Sequence, residues 1–169
     1  NTITGNVFGG NPGGGLLAGV ESSGGSFSNN TFTGTATYAQ LEVFGTGITI
    51  EGNNFGATGP TFRDGTGTYD AADIVANNNV TGGTVWIEGN GTIYTTINAA
   101  LAAAVAGDTI IVGAGTYDEN VFLNKAVHLV GPNDNEAGHG TRVAEAVIGG
   151  KVTISADGAS LTGFTLTKA

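Results

Sequence analysis

Phe27-Ser28-Asn29-Asn30-Thr31-Phe32 is an apolar residue, a short polar stretch holding Asn, and a second apolar residue. The same pattern stands at Ile3-Thr4-Gly5-Asn6-Val7-Phe8, at Ile50-Glu51-Gly52-Asn53-Asn54-Phe55 and at Ile74-Val75-Ala76-Asn77-Asn78-Asn79-Val80. The closing apolar residues Phe8, Phe32, Phe55 and Val80 lie 24, 23 and 25 residues apart. A second row, Val20, Phe44 and Tyr69, is spaced by 24 and 25. A repeat of that length cannot bury its apolar side alone, and stacking one repeat on the next does so. The spacing predicts strands of neighbouring repeats about 4.8 Å apart, with side chains alternating inward and outward. Ile48 and Ile50 then point inward and Thr49 outward. The Asn residues before each Phe suit left-handed corners, and identical amides stacked repeat over repeat form a hydrogen-bonded ladder.

After Val80 the texture changes. Thr81-Gly82-Gly83 punctuates, and Val85-Trp86-Ile87 reads as a strand. Ile93, Ile97, Ala100, Leu101, Ala104 and Val105 then recur at helical spacing. The one helix expected covers about residues 96–106, capped by Thr95 or Thr96 and stopped by Gly107 at C′. Short and alanine-rich, it needs a surface to pack on, and unpaired strand edges at the end of a stack offer one.

Residues 92–131 carry a series of motifs. A Thr-Ile-x-x-Ala-Leu helix at Thr96–Leu101 precedes Gly107-Asp108-Thr109-Ile110-Ile111-Val112. Then come Gly115-Thr116-Tyr117-Asp118-Glu119 and Lys125-Ala126-Val127-His128-Leu129-Val130-Gly131. In content and order this resembles the opening coils of pectin-lyase-like right-handed β-helix proteins, and Leu161-Thr162-Gly163-Phe164-Thr165-Leu166 looks like a further coil. The resemblance covers residues 84–169 through motifs and residues 1–83 through coil texture alone. It implies an all-β, right-handed, three-sided parallel β-helix with coils of about 24 residues and one short capping helix, the hand agreeing with the rule for parallel crossovers.

The features of an N-terminal end therefore stand in the second half. Residues 1–83 read as the last coils of one β-helix unit, and 84–169 as the capping helix and first coils of the next. Joining Ala169 to Asn1 places Leu166 23 residues before Val20 and 11 before Phe8, the latter equal to the step from Phe44 to Phe55. The expectation is a permuted repeat of an end-to-end polymer. Units linked covalently in a tandem-repeat protein and separate subunits stacked head to tail both fit, and the opening Asn1-Thr2-Ile3, without an initiator Met, fits the covalent array slightly better.

Composition narrows the function. Hydrophobic residues are 40%, charged residues 11% and Gly 31 in number, which suits many short strands and tight turns rather than disorder. Net charge is −9 with five basic residues, too few to neutralise a row of phosphates, so nucleic acid is not an expected partner. Cys is absent, which excludes disulfides and thiolate chemistry. No stretch has the roughly 20 apolar residues needed to span a bilayer.

Polysaccharide lyases and hydrolases need clustered carboxylates. Arg63-Asp64 with Asp70 and Asp73 is the nearest approach, and reads instead as a solvated turn. Asp108 and Glu119 read as caps on backbone amides, Asp118 as surface, His128 as an outward strand residue and His139 as a loop residue. The loop 134–140 offers at most a calcium site. Gly9–Gly15 and Asp64–Gly67 are turns, since no Lys-Ser/Thr follows. Asn29, Asn79 and Asn90 head N-x-T sequons. No catalytic, cofactor or metal residue is assigned. The function expected is a structural or adhesive solenoid of the extracellular surface. Its partners are copies of itself, head to tail, with cell-surface or matrix polysaccharide as a further candidate. The alternative is a fragment of a polysaccharide lyase or hydrolase whose active coils lie elsewhere.

Overall fold

A computed structural model describes residues 1–9, 16–33, 39–56, 61–80, 84–136, 138 and 140–167. In chain order the first elements are β1 (Thr2–Thr4), β2 (Val7–Phe8), β3 (Leu16–Val20), β4 (Ser26–Ser28), β5 (Thr31–Phe32), β6 (Ala39–Val43), β7 (Thr49–Glu51), β8 (Asn54–Phe55), β9 (Phe62–Asp64), α1 (Ala71–Asn77) and β10 (Asn79–Val80). Next come β11 (Val85–Ile87), β12 (Ile93–Tyr94), α2 (Ile97–Ala103), β13 (Thr109–Val112), β14 (Gly115–Tyr117) and β15 (Val121–Leu123). The last are β16 (His128–Val130), β17 (Ala146–Ile148), β18 (Val152–Ile154), β19 (Ser160–Thr162) and β20 (Phe164–Leu166). Two compact units form, Asn1–Gly82 with Gly89–Thr95, and Gly83–Glu88 with Thr96–Ala169.

In the first unit each repeat contributes one strand to each of three parallel sheets: β1-β4-β7, β2-β5-β8-β10 and β3-β6-β9. Phe8 is in register with Phe32, and Phe55 with Val80. The rings stack, with centroids 5.2 Å apart for Phe8 and Phe32 and 4.9 Å for Phe32 and Phe55. Phe27, in register with Ile3 and Ile50, closes the same apolar interior. Ile48 and Ile50 are buried and Thr49 exposed, the alternation that the sequence indicates.

Beside the rings runs the amide ladder. Asn6 Nδ2 donates to Asn30 Oδ1 at 3.1 Å, Asn30 Nδ2 to Asn53 Oδ1 at 3.1 Å, and Asn53 Nδ2 to Asn78 Oδ1 at 2.9 Å. Each of these oxygens also accepts the backbone N–H of the preceding Asn, at 2.9 Å in all three cases. The amides therefore bond to the turn backbone as well as to each other. Asn30 and Asn53 are almost wholly buried, a position a polar side chain tolerates only when its donors and acceptors are matched. The residue before each of the first three ladder Asn is left-handed, Gly5 at φ 70°, Asn29 at φ 54° and Gly52 at φ 64°, whereas Asn78 follows the last residue of α1. Gly and Asn are the residues that adopt this backbone at least cost, which explains the Gly-Asn and Asn-Asn pairs.

Three expectations for residues 1–83 are corrected. Val20 pairs with Val43, not Phe44, and Val43 pairs with Asp64. Phe44 lies one place beyond β6 and is half exposed, while Tyr69 is a turn residue whose Oη donates to Gly45 O at 2.8 Å. The described residues hold two helices rather than the one expected. Asp70 Oδ1 accepts the Ala72 N–H at 2.9 Å and caps α1, which takes the place of a fourth strand beside β7 and buries Ala71 and Ile74. Ile74 is thus helical, although Val80 keeps its place in the ladder of strands.

In the second unit the parallel sheets are β13-β16-β19, β14-β17-β20 and β15-β18. The repeat is uneven here, because Ile110, Leu129 and Leu161 share one register while residues 131–145 intervene after β16. Coils of a constant 24 residues do not hold in this half. Buried Asn133 pins the intervening loop by accepting the Val143 N–H at 2.8 Å. Arg142 bonds Glu145 beside it and holds that carboxyl down to about 2. Gly163, at φ 78°, is the single residue between β19 and β20, and a Cβ there would lie 2.5 Å from Asp134 N.

Helix α2 starts at the Thr96 cap as expected and ends at Ala103 with Ala104 as its C-cap, so Gly107 is not its C′ residue. The helix buries Ile97, Ala100 and Leu101 against β11, β13 and β15. Both Glu119 oxygens take its first N–H groups, Ile97 at 2.7 Å and Asn98 at 2.9 Å. Lys125 Nζ donates to its last carbonyls, Leu101 at 2.8 Å and Ala104 at 2.7 Å. Opposite charges at the two ends match the helix dipole.

Candidate functional site

Of the three carboxylates nearest to a catalytic cluster, Asp64 and Asp70 are spent on backbone amides. Asp64 Oδ1 accepts the N–H of Thr66 at 2.8 Å and of Gly67 at 2.9 Å, and Oδ2 that of Tyr69 at 2.8 Å. Although partial burial works to raise it, these donors together hold the Asp64 carboxyl below the usual range. Arg63 does not join it. Adjacent strand residues face opposite ways, and Arg63 Nη1 donates to Glu42 at 2.7 Å. Burial pushes the Glu42 carboxyl above its ordinary range. Asp108 Oδ2 accepts the Val105 N–H at 2.7 Å and Glu119 caps α2, the roles read from the sequence.

Asp70 and Asp73 line a shallow groove of about 270 Å³ beside β7, together with Glu51 and Tyr69. Among the described residues no group of three or more His, Cys, Asp or Glu side chains is placed to hold a metal ion. His128 is exposed on β16, 2.8 Å from Ser160 Oγ. His139 and Gly10–Gly15 lie outside the described residues. Of the sequon residues, Asn29 and Asn90 are exposed, and Asn79 Nδ2 donates to Asn54 Oδ1 at 2.9 Å. No helix among the described residues is long and apolar enough to cross a membrane.

What distinguishes each unit is the difference between its two ends. In the first, α1 packs on β7, β10 pairs with β8, and β12 pairs antiparallel with β9 through Ile93 and Phe62. That end is sealed. At the other end β1, β2 and β3 each pair on one side only among the described residues. In the second unit α2 covers β13 and β15, and β11 pairs antiparallel with β13. Among the described residues its last repeat, β18, β19 and β20, is again paired on one side.

The open end of the second unit is apolar by construction. Leu123 is 0% exposed, and Ile154, in register with it, 48%. Ile148 is 0% exposed, and its partner Leu166 50%. The two members of each pair are in register, and no described repeat lies over Ile154 or Leu166. Ile3 and Phe8 stand in the same relation to buried Phe27 and Phe32 in the first unit, and are half buried.

Proteins ordinarily protect free strand edges with charge or proline. Residues 1–20 contain no Asp, Glu, Lys or Arg, and β18, β19 and β20 contain neither charge nor Pro. Sequence reasoning did not single out these edges, because which strand lies outermost depends on the pairing order. Lys125 was missed for a similar reason: 21 residues separate it from Ala104, whose carbonyl it caps. No protein-family model, curated protein or solved structure matches the chain.

Proposed function

We propose that this chain is a non-catalytic building block of an extracellular filament, sheath or surface array: a right-handed, three-sided parallel β-helix that extends end to end through further copies of itself. The observation that carries this reading is that the outermost described repeats, β1–β3 and β18–β20, pair on one side only and hold apolar residues without charged strand positions, while the other side of each unit is covered by a helix and an antiparallel strand. Three parallel sheets fed once per repeat support the helix, and the right-handed rule for parallel crossovers supports the hand. The commitment of Asp64, Asp108 and Glu119 to backbone amides speaks against a lyase or hydrolase made from these residues.

Sedimentation velocity over a wide concentration range, with electron microscopy of the same sample, tests the proposal. Concentration-dependent growth into rods, with no cleavage of pectate or alginate, is the expected result. A monodisperse monomer at all concentrations, or steady turnover of either polysaccharide, would overturn it.

A further inference from the structure

We infer that Asn90 is a self-modifying site: in the folded chain its side-chain amide closes on the backbone nitrogen of Gly91, and water then opens the ring to aspartate or isoaspartate. Of the sixteen Asn residues in the sequence, Asn90 alone is followed by Gly. A side chain on the residue that follows hinders attack of its backbone nitrogen on the Asn Cγ, and Gly has none. The fold also demands Gly at this place. A Cβ on Gly91 would lie 2.7 Å from Asp64 Oδ2 and 2.6 Å from Tyr69 O.

Local geometry favours the same reaction. Asn90 is exposed, so water reaches it. Its Oδ1 accepts the Thr92 N–H at 2.9 Å. That bond turns the side chain back along the Gly91 peptide, which brings the reacting groups together. It also sets a donor at the oxygen that gains negative charge as Cγ becomes tetrahedral. Other asparagines are held in different bonds. Asn30 and Asn53 are buried in the amide ladder, and Asn6 and Asn78 are bonded to it. Asn98 Nδ2 donates to Asn120 O, and Asn120 Oδ1 accepts the Lys151 N–H.

Water is the one co-reactant. Gly91 N gives up its proton and bonds to Cγ, the Cγ–Nδ2 bond breaks, and ammonia leaves carrying that proton. Water then adds to one carbonyl of the cyclic imide. Cleavage of the new bond leaves aspartate at position 90. Cleavage of the original peptide bond leaves isoaspartate, whose main chain runs through Cβ and Cγ and is longer by one methylene. Either product adds a negative charge to a chain of net charge −9. The longer form stands just ahead of β12, where Ile93 pairs with Phe62 and its carbonyl accepts the Thr61 N–H at 3.2 Å. Lengthening the chain there loosens β12 from β9.

The purified chain is held at mildly alkaline pH, folded and in urea, and its digests are followed by mass spectrometry for exchange of NH for O at each Asn. Isoaspartate is read by enzymatic methylation. In the folded chain Asn90 is expected to convert first, about 10-fold or more faster than any other Asn. Asn90→Gln, whose amide lies one methylene further out, is expected to abolish that early signal. Earlier conversion of another Asn, or conversion of Asn90 in urea but not in the folded chain, would overturn the assignment. So would an Asn90 that stays intact in both. Amide exchange at Thr61 is expected to quicken in the isoaspartate fraction, and unchanged exchange there would overturn the effect on β12.

Discussion

Replacing Asn53 by Ala is expected to destabilise the first unit by about 3–5 kcal/mol, against less than about 1 kcal/mol for its neighbour Asn54. Asn53 is fully buried and makes four hydrogen bonds. Its Nδ2 donates to Phe27 O and to Asn78 Oδ1, each at 2.9 Å, and its Oδ1 accepts from Asn30 N and Asn30 Nδ2. Alanine leaves a buried backbone N–H, a backbone carbonyl and two amides short of a partner. Each unsatisfied buried group costs about 1–3 kcal/mol, and water entering the gap recovers part of the sum. Asn54 is exposed, so its bond to Asn79 exchanges readily for water. Urea unfolding followed by amide exchange at residues 31, 54 and 79 measures the contrast. Equal effects at the two positions would mean that the ladder is a surface ornament rather than part of the core.

Phe32→Ala is expected to cost a similar amount, about 3–5 kcal/mol, and Phe32→Leu about 1–2 kcal/mol. Phe32 is 2% exposed and its ring stacks on Phe8, Phe27 and Phe55. Both the lost transfer energy and the cavity contribute, because neighbours held by backbone ladders above and below cannot collapse inward. Phe122 is the matched comparison: an aromatic strand residue, half exposed, whose truncation is expected to cost less than about 1 kcal/mol. If Phe32→Ala and Phe122→Ala destabilised equally under urea, the stacked rings would not form the interior of the first unit.

The row Phe8, Phe32, Phe55, Val80 and the Asn residues beside it were legible in the sequence, because a tight two-residue turn locks Asn and Phe at a short fixed distance within each repeat. The row Val20, Phe44, Tyr69 misled for the complementary reason. Spacing in residue number tolerates a slip of one, but a slip of one turns a strand side chain to the other face. Phe44 made that slip relative to Val43, and Tyr69 follows a turn organised by Asp64. The period-preserving join of Ala169 to Asn1 used the Phe44 to Phe55 step, which links no pair of equivalent strand positions.

Helix α1 escaped notice because seven residues are too few to display a period, and Asn78-Asn79-Val80 matched the strand pattern immediately after it. Residues 131–145 hid the unequal repeat of the second unit, since an insertion changes the spacing without changing the register of Leu129 and Leu161. The capping roles of Asp108 and Glu119 were readable, whereas the partner of Lys125 was not. Asp108 caps a neighbour three residues away, whereas Glu119 and Lys125 act across 22 and 21 residues, and Glu119 was readable only through the motif in which it stands.

Through-hydrogen-bond couplings between backbone nitrogen and carbonyl carbon test the stacked parallel register most directly. In the labelled protein, couplings are expected from Thr33 N to Phe8 C′, from Asn54 N to Asn30 C′ and from Asn79 N to Asn53 C′, each linking one repeat to the repeat before it. Couplings from the same three nitrogens to carbonyls in antiparallel register, or to partners within their own repeat, would contradict the fold and every function drawn from it.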